Sequence, residues 1–178
     1  MHTEKFLSKR AEDLNKEELV ELYELLSPRL FRYAMRLLGD HQQAEECVSE
    51  TFSRFLTAIK NGGGPRDNLQ AYLYRVAHNW ITDFYRKRPP EELVESILLR
   101  DPQQNPVMVV AKDQEKERVR IALLRLTEEQ RQVILLRFYE DWPYEEIAAA
   151  LGKSYEATRA LHHRALVGLR KMLIGSEE

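Results

Sequence analysis

Apolar residues recur at intervals of three and four along the first part of the chain: Leu19, Leu22, Tyr23, Leu26, Leu30, Phe31, Ala34, Leu37 and Leu38. This is the period of a helix with one buried stripe. Asn15, followed three residues later by Glu18, has the form of a capping box and marks the start. Pro28 interrupts the pattern, so it either kinks one long helix or sits in the first turn of a second. Gly39-Asp40 ends the run. A second set follows: Ala44, Cys47, Val48, Phe52, Phe55, Leu56 and Ile59. Its first turn carries Glu45 and Glu46, where the helix dipole favours negative charge. Asn61-Gly62-Gly63-Gly64-Pro65 stops it. A third set is Leu69, Leu73, Val76, Ala77, Trp80, Ile81 and Phe84, closing in Arg86-Lys87-Arg88 and Pro89-Pro90. Three or four helices around one core account for residues 15–88.

The pattern then breaks. Residues 89–114 hold Pro89, Pro90, Pro102 and Pro106, with Arg100 and Lys112 set against Glu91, Glu92, Glu95, Asp101 and Asp113. This reads as a linker with a short helix at Glu91 to Leu99. Val107 to Ala111 is an apolar patch suited to docking on a domain or a partner, or to a lone buried strand. Helical spacing resumes over residues 115–174. Val119, Ala122, Leu123 and Leu126 close one helix, and Thr127 with Gln130 forms a second capping-box signature. Val133, Ile134 and Leu136 to Phe138 supply the apolar side of the next helix. A short helix from Tyr144 to Leu151, a turn at Gly152 and a long helix from Ser154 complete the chain. Strand alternation is missing from both blocks. The expected fold is all-α: two small helical domains joined by a linker, the second a four-helix domain with a helix-turn-helix.

Composition narrows the setting. Hydrophobic residues make up 43% of the 178 and charged residues 31%, which suits a folded soluble chain rather than a disordered one. The single cysteine, Cys47, excludes an internal disulfide and a Cys-rich zinc site, and a reducing cytosol is the expected compartment. Its place in an apolar stripe suits a buried, inert thiol. No apolar run reaches the roughly 18 residues of a membrane span, and no signal-peptide core follows Met1. Lys plus Arg is 27 and Asp plus Glu is 29, a formal net charge of −2, so any affinity for nucleic acid has to be local.

Local charge is present in two places. In Tyr144-Glu145-Glu146-Ile147-Ala148-Ala149-Ala150-Leu151-Gly152-Lys153-Ser154, a short helix puts Ile147, Ala148 and Leu151 on one side. Ala148 is small enough for a close crossing, Gly152 suits the turn, and Ser154 can cap the next helix. That is a helix-turn-helix pattern, whose second helix enters a major groove. From Lys153 to Leu173 the basic residues are Lys153, Arg159, Arg164, Arg170 and Lys171, against Glu156 alone. Tyr155 lies in the first turn, and Arg159 and Arg164 have the reach for bases or phosphates. A plain hairpin with a solvated basic face has the same spacing, and the spacing alone leaves both readings open. Leu161 is expected to lean toward the core and His162 toward solvent. His162-His163 makes no metal site, because adjacent helical residues do not face one point. The second place is Leu69 to Arg88, where Arg75, Arg86, Lys87 and Arg88 interleave with Tyr72, Tyr74, Trp80, Phe84 and Tyr85, a combination suited to unstacked bases and a phosphate backbone. Asn79 either ends a helix or meets a base edge, Asp83 can orient Arg86, and Trp80 suits a core. Glu45, Glu46 and Glu50 form an acidic face, either docking or merely solvated.

Four stretches, in this order and around this linker, resemble the extracytoplasmic-function group of bacterial sigma factors. They are Leu30 to Asp40, Ala44 to Phe52, Ala71 to Asn79 running into Asp83 and Arg86-Lys87-Arg88, and Leu126 to Phe138 followed by the helix-turn-helix. The resemblance covers nearly everything beyond the first dozen residues. It implies a promoter-specificity subunit that is not an enzyme and uses no cofactor or metal. Its partners would be core RNA polymerase, promoter DNA and an anti-sigma factor. Glu45, Glu46, Ser49, Glu50 and Phe52 would help bind the clamp-helix region of the largest catalytic subunit. Asn79, following the helix that supports promoter opening, would line a pocket for a flipped −10 base, with Asp83 beside it and Arg75, Arg86, Lys87 and Arg88 on nearby backbone. The linker would lie along the RNA exit path. Tyr155, Arg159, His163 and Arg164 would face −35 DNA. The chain is too short for the extra N-terminal regions of housekeeping sigma factors. Five departures stand out: Ser49 replaces Gln, Tyr72 replaces Trp, Pro143 replaces a capping Ser, and Ala160 and Leu161 replace Ser and Arg. A stand-alone helix-turn-helix regulator and a purely protein-binding helical module are the rival readings.

Overall fold

A computed structural model describes residues 7–88 and 107–175, with side chains described from 113 onward in the second stretch. Among the described residues seven α-helices form and no strand occurs. In the first domain α1 is Lys16–Leu38, α2 is His41–Lys60 and α3 is Leu69–Arg86. In the second, α4 is Val107–Arg125, α5 is Glu128–Tyr139, α6 is Tyr144–Leu151 and α7 is Tyr155–Leu173. The expected helix at Glu91 to Leu99 lies outside the described residues. Helix α4 begins at Val107, so the apolar patch read as a docking segment or a strand is helical, and the helix starts inside the stretch read as linker.

The ends of the helices follow from their capping residues. The Asn15 side chain accepts from the Glu18 N–H at 2.8 Å while Glu18 accepts from the Asn15 N–H at 3.2 Å. Thr127 and Gln130 make the same reciprocal pair. Each box satisfies two donors that the first turn leaves without a helical partner. Pro28 sits inside α1, which runs through it as one helix. Gly39 ends α1 with φ +66°, a conformation that costs other residues energy.

Leu22, Leu26, Leu30, Leu37, Phe55, Leu69, Leu73 and Ile81 fill the first core without measurable exposure. Tyr23 and Leu56, read above as core positions, are each half exposed. In the second domain Val133, Leu135, Ile147 and Ala165 are fully buried. Phe138, read as part of the apolar side of α5, is 56% exposed, while Arg131 and Gln132 of the same helix are buried. Arg131 donates from Nε to the Leu123 carbonyl at 3.1 Å and from Nη2 to those of Leu124 and Leu126 at 3.3 and 3.2 Å. It thereby serves the carbonyls that the C-terminal end of α4 leaves open.

The two domains pack on each other. Tyr74 of α3 meets Trp142, in the turn between α5 and α6, edge to face at 5.5 Å between ring centroids. Arg36 lies 3.8 Å above the ring of Tyr139. Arg120 of α4 is held by Glu117 and donates to the Leu37 carbonyl at 3.3 Å and the Tyr85 hydroxyl at 3.1 Å.

Candidate nucleic-acid interface

Helix α3 has two unlike faces. Leu73, Tyr74, Ala77, His78 and Ile81 point into the core. Arg75, Asn79, Asp83 and Arg86 are exposed, and their spacing of four, four and three puts them on one face. The helix does not end at Asn79 but continues to Arg86, so Asn79 is presented from mid-helix rather than from a position following it. The reason is that Trp80, Ile81 and Phe84 continue the apolar period, with Trp80 stacked on Phe84 at 5.5 Å. Asp83 holds Arg86 at 3.3 Å. Arg88 lies 4.9 Å over the Phe84 ring, and Lys87 and Arg88 are exposed just past the helix end. A pocket of about 190 Å³ opens beside this face, lined by Asn79, Thr82, Asp83, Arg86 and Glu128. The Thr82 hydroxyl is buried in the fold without a hydrogen-bond partner. Thr82 and Glu128 were not legible as site residues: one is a lone hydroxyl in an aromatic stretch, the other a capping-turn carboxylate in the second domain, far along the chain from α3.

The second candidate surface is α7. Ser154 accepts from the Ala157 N–H at 3.1 Å and fixes the helix start. Gly152, at φ +63°, makes the turn from α6, which begins at Pro143 without a side-chain cap. Thr158, Leu161 and Ala165 are buried, so Tyr155, Arg159, His163 and Arg164 are left exposed on the other side. Arg159 sits 5.8 Å over the Tyr155 ring, and Arg164 donates back to the Ala160 carbonyl at 3.3 Å. His162 does not turn to solvent as its spacing suggested. It is half buried, with Nδ1 hydrogen-bonded to the Tyr144 hydroxyl at 2.9 Å and its ring beside Phe138. Burial and the charges of Arg137 and His163 hold its pKa below the usual value.

The acidic helix α2 borders something other than a plain charged face. Between α1 and α2 runs a groove of about 870 Å³, whose lining includes Tyr23, Pro28, Val48, Ser49, Phe52 and Leu56. Phe52 is only 7% exposed and forms part of its floor, in edge contact with Tyr23 at 4.8 Å. Glu45 lines the groove, whereas Glu46 and Glu50 do not. Glu50 is paired with Arg54 at 2.7 Å. Val20, Tyr23 and Leu56, each half exposed, form apolar parts of the groove that the sequence did not single out as contacts. Their signal was apolar character at the margin of the buried stripe. Cys47 is buried behind this surface with its thiol pushed up to about 12 by desolvation, which keeps it protonated and unreactive.

Known proteins share both halves of this arrangement. The family model for sigma-70 region 2 matches residues 22–89, and the model for sigma-70 region 4 matches residues 122–171. The ECF RNA polymerase sigma factor SigL of Mycobacterium tuberculosis is 32% identical over 153 residues, covering 85% of this chain and 86% of its own. The chain belongs to the ECF RNA polymerase sigma factors of the sigma-70 family. RNA polymerase sigma-E factor of Streptomyces coelicolor is also 32% identical, over 165 residues and 90% of each chain. Two solved structures share the fold. RpoE of Bartonella quintana, seen with the anti-sigma factor NepR, aligns at a TM-score of 0.59 with 22% identity over 89% of this chain and 98% of its own. CnrH, seen with the cytosolic domain of CnrY, aligns at 0.68 with 23% identity over 94% of each. As an ECF sigma factor the protein directs RNA polymerase to promoter DNA. Region 2 corresponds to α1, α2 and α3, and region 4 to the end of α4 with α5, α6 and α7.

Proposed function

We propose that the sigma factor divides its work among three surfaces. The exposed face of α3 takes the −10 element: Asn79 receives a flipped base, Asp83 orients Arg86, and Arg75, Arg86, Lys87 and Arg88 hold phosphates. The exposed side of α7 reads −35 duplex through Tyr155, Arg159, His163 and Arg164. The groove between α1 and α2 seats the polymerase, with Glu45, Ser49 and Phe52 joined by Tyr23 and Leu56, and with Glu46 and Glu50 on the outer slope. The observation that carries this reading is the stripe Arg75, Asn79, Asp83 and Arg86, exposed on one side of a helix whose other side is core. Four polar groups at that spacing offer a base-edge partner flanked by guanidinium groups, which is what an unstacked strand requires.

On this reading the 15–88 and 115–174 domains act on opposite ends of one promoter, and the connecting segment spans them. The chain performs no reaction of its own, since phosphoryl chemistry belongs to the polymerase, and it acts in the cytoplasm. Among the described residues no helix is long and apolar enough to cross a membrane. The relatives seen with NepR and CnrY suggest that an anti-sigma protein also binds this chain. Reconstitution with core polymerase tests the assignment. Transcription should start at defined promoters with the sigma factor present and stop when Arg75 and Arg86 are both replaced by Ala. Retained initiation by that variant would remove the α3 face from strand binding.

A further inference from the structure

Tyr144 opens α6, and Pro143 before it supplies no side-chain cap. The start of this helix is tied down by other means. The Tyr144 hydroxyl is hydrogen-bonded to His162 Nδ1 at 2.9 Å, a link that crosses the helix-turn-helix from α6 to α7. The two rings meet edge to face at 5.5 Å between centroids. Arg137 of α5 lies 5.4 Å over the Tyr144 ring, and its Nη1 donates to the Trp142 carbonyl at 3.4 Å. Groups on three helices therefore fix one half-buried ring. The tie works in both directions, since His162 Nε2 is buried without a hydrogen-bond partner and the Tyr144 hydroxyl alone orients the imidazole through a polar contact.

The same ring bears on the exposed side of α7. Tyr155 meets Tyr144 at 5.9 Å, with 83° between the ring planes. Arg159, one turn further on, lies 5.8 Å from the centre of the Tyr155 ring. Tyr155, Arg159 and His162 stand four and then three residues apart, which puts them on one side of the helix, and Tyr144 touches the first and the last of them. The buried packing between α6 and α7 is made by other residues, among them Ile147, Ala148, Leu161 and Ala165. What Tyr144 fixes is an exposed tyrosine and, through it, an exposed arginine. Residues in the first turn of a helix lying in the major groove are the ones that meet base edges. A long side chain held in place before binding loses less rotamer freedom on contact, and a guanidinium resting on a fixed ring keeps its direction.

We propose that Tyr144 is a positioning residue for −35 recognition: held by His162 and Arg137, its ring sets Tyr155, and Tyr155 sets the Arg159 guanidinium in the direction from which it reads the duplex. The proposal rests on the assignment of the exposed side of α7 to −35 DNA. Tyr144 acts only through Tyr155, so its contribution to recognition disappears wherever the Tyr155 ring is absent. His162 belongs to the same device, as the group on α7 that anchors the hydroxyl.

A double-mutant cycle on the holoenzyme tests this. Each variant is assembled with core polymerase, and its affinity for a promoter used by the wild type is compared with that for the same promoter carrying a replaced −35 element. Tyr144→Leu should weaken binding to the intact promoter about tenfold and leave binding to the replaced one within about twofold. Tyr144→Phe keeps the ring and loses only the tie to His162, so it should lose about threefold while its thermal midpoint stays close to that of the wild type. In a Tyr155→Ala background Tyr144→Leu should cost less than about twofold more, and Tyr144→Phe nothing. Equal losses with and without Tyr155 would overturn the proposal, because a side chain that merely supports the domain weakens every background alike. Wild-type affinity of Tyr144→Leu would overturn it as well. If Tyr155→Ala and Arg159→Ala both bind the intact promoter as the wild type does, the assignment of α7 itself falls and takes the proposal with it.

Discussion

Asn79 and His78 are neighbours with opposite fates. Asn79 is exposed on α3, whereas His78 has no exposure and is hydrogen-bonded through Nδ1 to the Tyr33 hydroxyl at 2.6 Å. Asn79→Ala removes a base-edge partner without disturbing the core. It should lower open-complex formation about tenfold, the worth of one good hydrogen bond, and leave closed-complex binding within about twofold. Footprinting of both steps reads this, and equal losses would reject the pocket role. His78 predicts a pH effect instead. Burial pushes its pKa down to about 3, and the nearby Arg131 guanidinium pushes the same way. The folded chain therefore binds fewer protons here than the unfolded chain, whose imidazole titrates near about 6.5. Stability from this group is complete above that pH and declines as pH falls toward 3, by up to about 1.4 kcal/mol per unit. Urea midpoints between pH 7 and 5 should fall more for wild type than for His78→Gln.

At the scale of an element, α7 shows how one helix combines a stable start with a free face. Ser154 fixes the first turn, and Thr158, Leu161 and Ala165 anchor the buried side. Ser154→Ala leaves the Ala157 N–H without its acceptor and should cost about 1 kcal/mol, seen as a lower thermal midpoint. Arg164→Ala should barely change that midpoint. It should weaken binding to −35 duplex and reduce the salt slope by about 0.9 if the side chain neutralises one phosphate. An unchanged slope removes the phosphate assignment. Ala160 and Leu161, where the family pattern has Ser and Arg, differ in consequence. Ala160 is exposed and subtracts a possible contact, whereas Leu161 is buried, so an Arg there would have no place in this packing.

Across the whole molecule, two apolar surfaces differ in what they meet. One is internal and joins the two domains, through Tyr74 with Trp142, Arg36 with Tyr139, and Arg120 with Leu37 and Tyr85. The other is the groove between α1 and α2, where Val20, Tyr23 and Leu56 are half exposed. Leu56→Glu tests it: the site is half exposed, so folding stability should change by less than about 0.5 kcal/mol while copurification with core polymerase drops sharply. Normal copurification would move the docking surface elsewhere.

Most helix positions, the capping boxes at Asn15 and Thr127 and the turn at Gly152 were legible along the chain, because each depends on residues three or four apart; the start of α4 at Val107, inside the stretch read as linker, was not. So were the family stretches. The residues of the polar stripe of α3 were singled out one by one, but Asn79 was also read as a helix end, and it is the helix running on to Arg86 that puts Arg75, Asn79, Asp83 and Arg86 on one face. Burial was less legible wherever it depends on partners distant in sequence. Arg131 and Arg120 look like surface cations until the carbonyls of α4 and of Leu37 are brought to them. Tyr23, Leu56 and Phe138 look like core until the packing leaves them half outside. The docking of the second domain on the first is the extreme case. It joins residues such as Tyr74 and Trp142 that no local pattern connects, and only their meeting in space buries both rings.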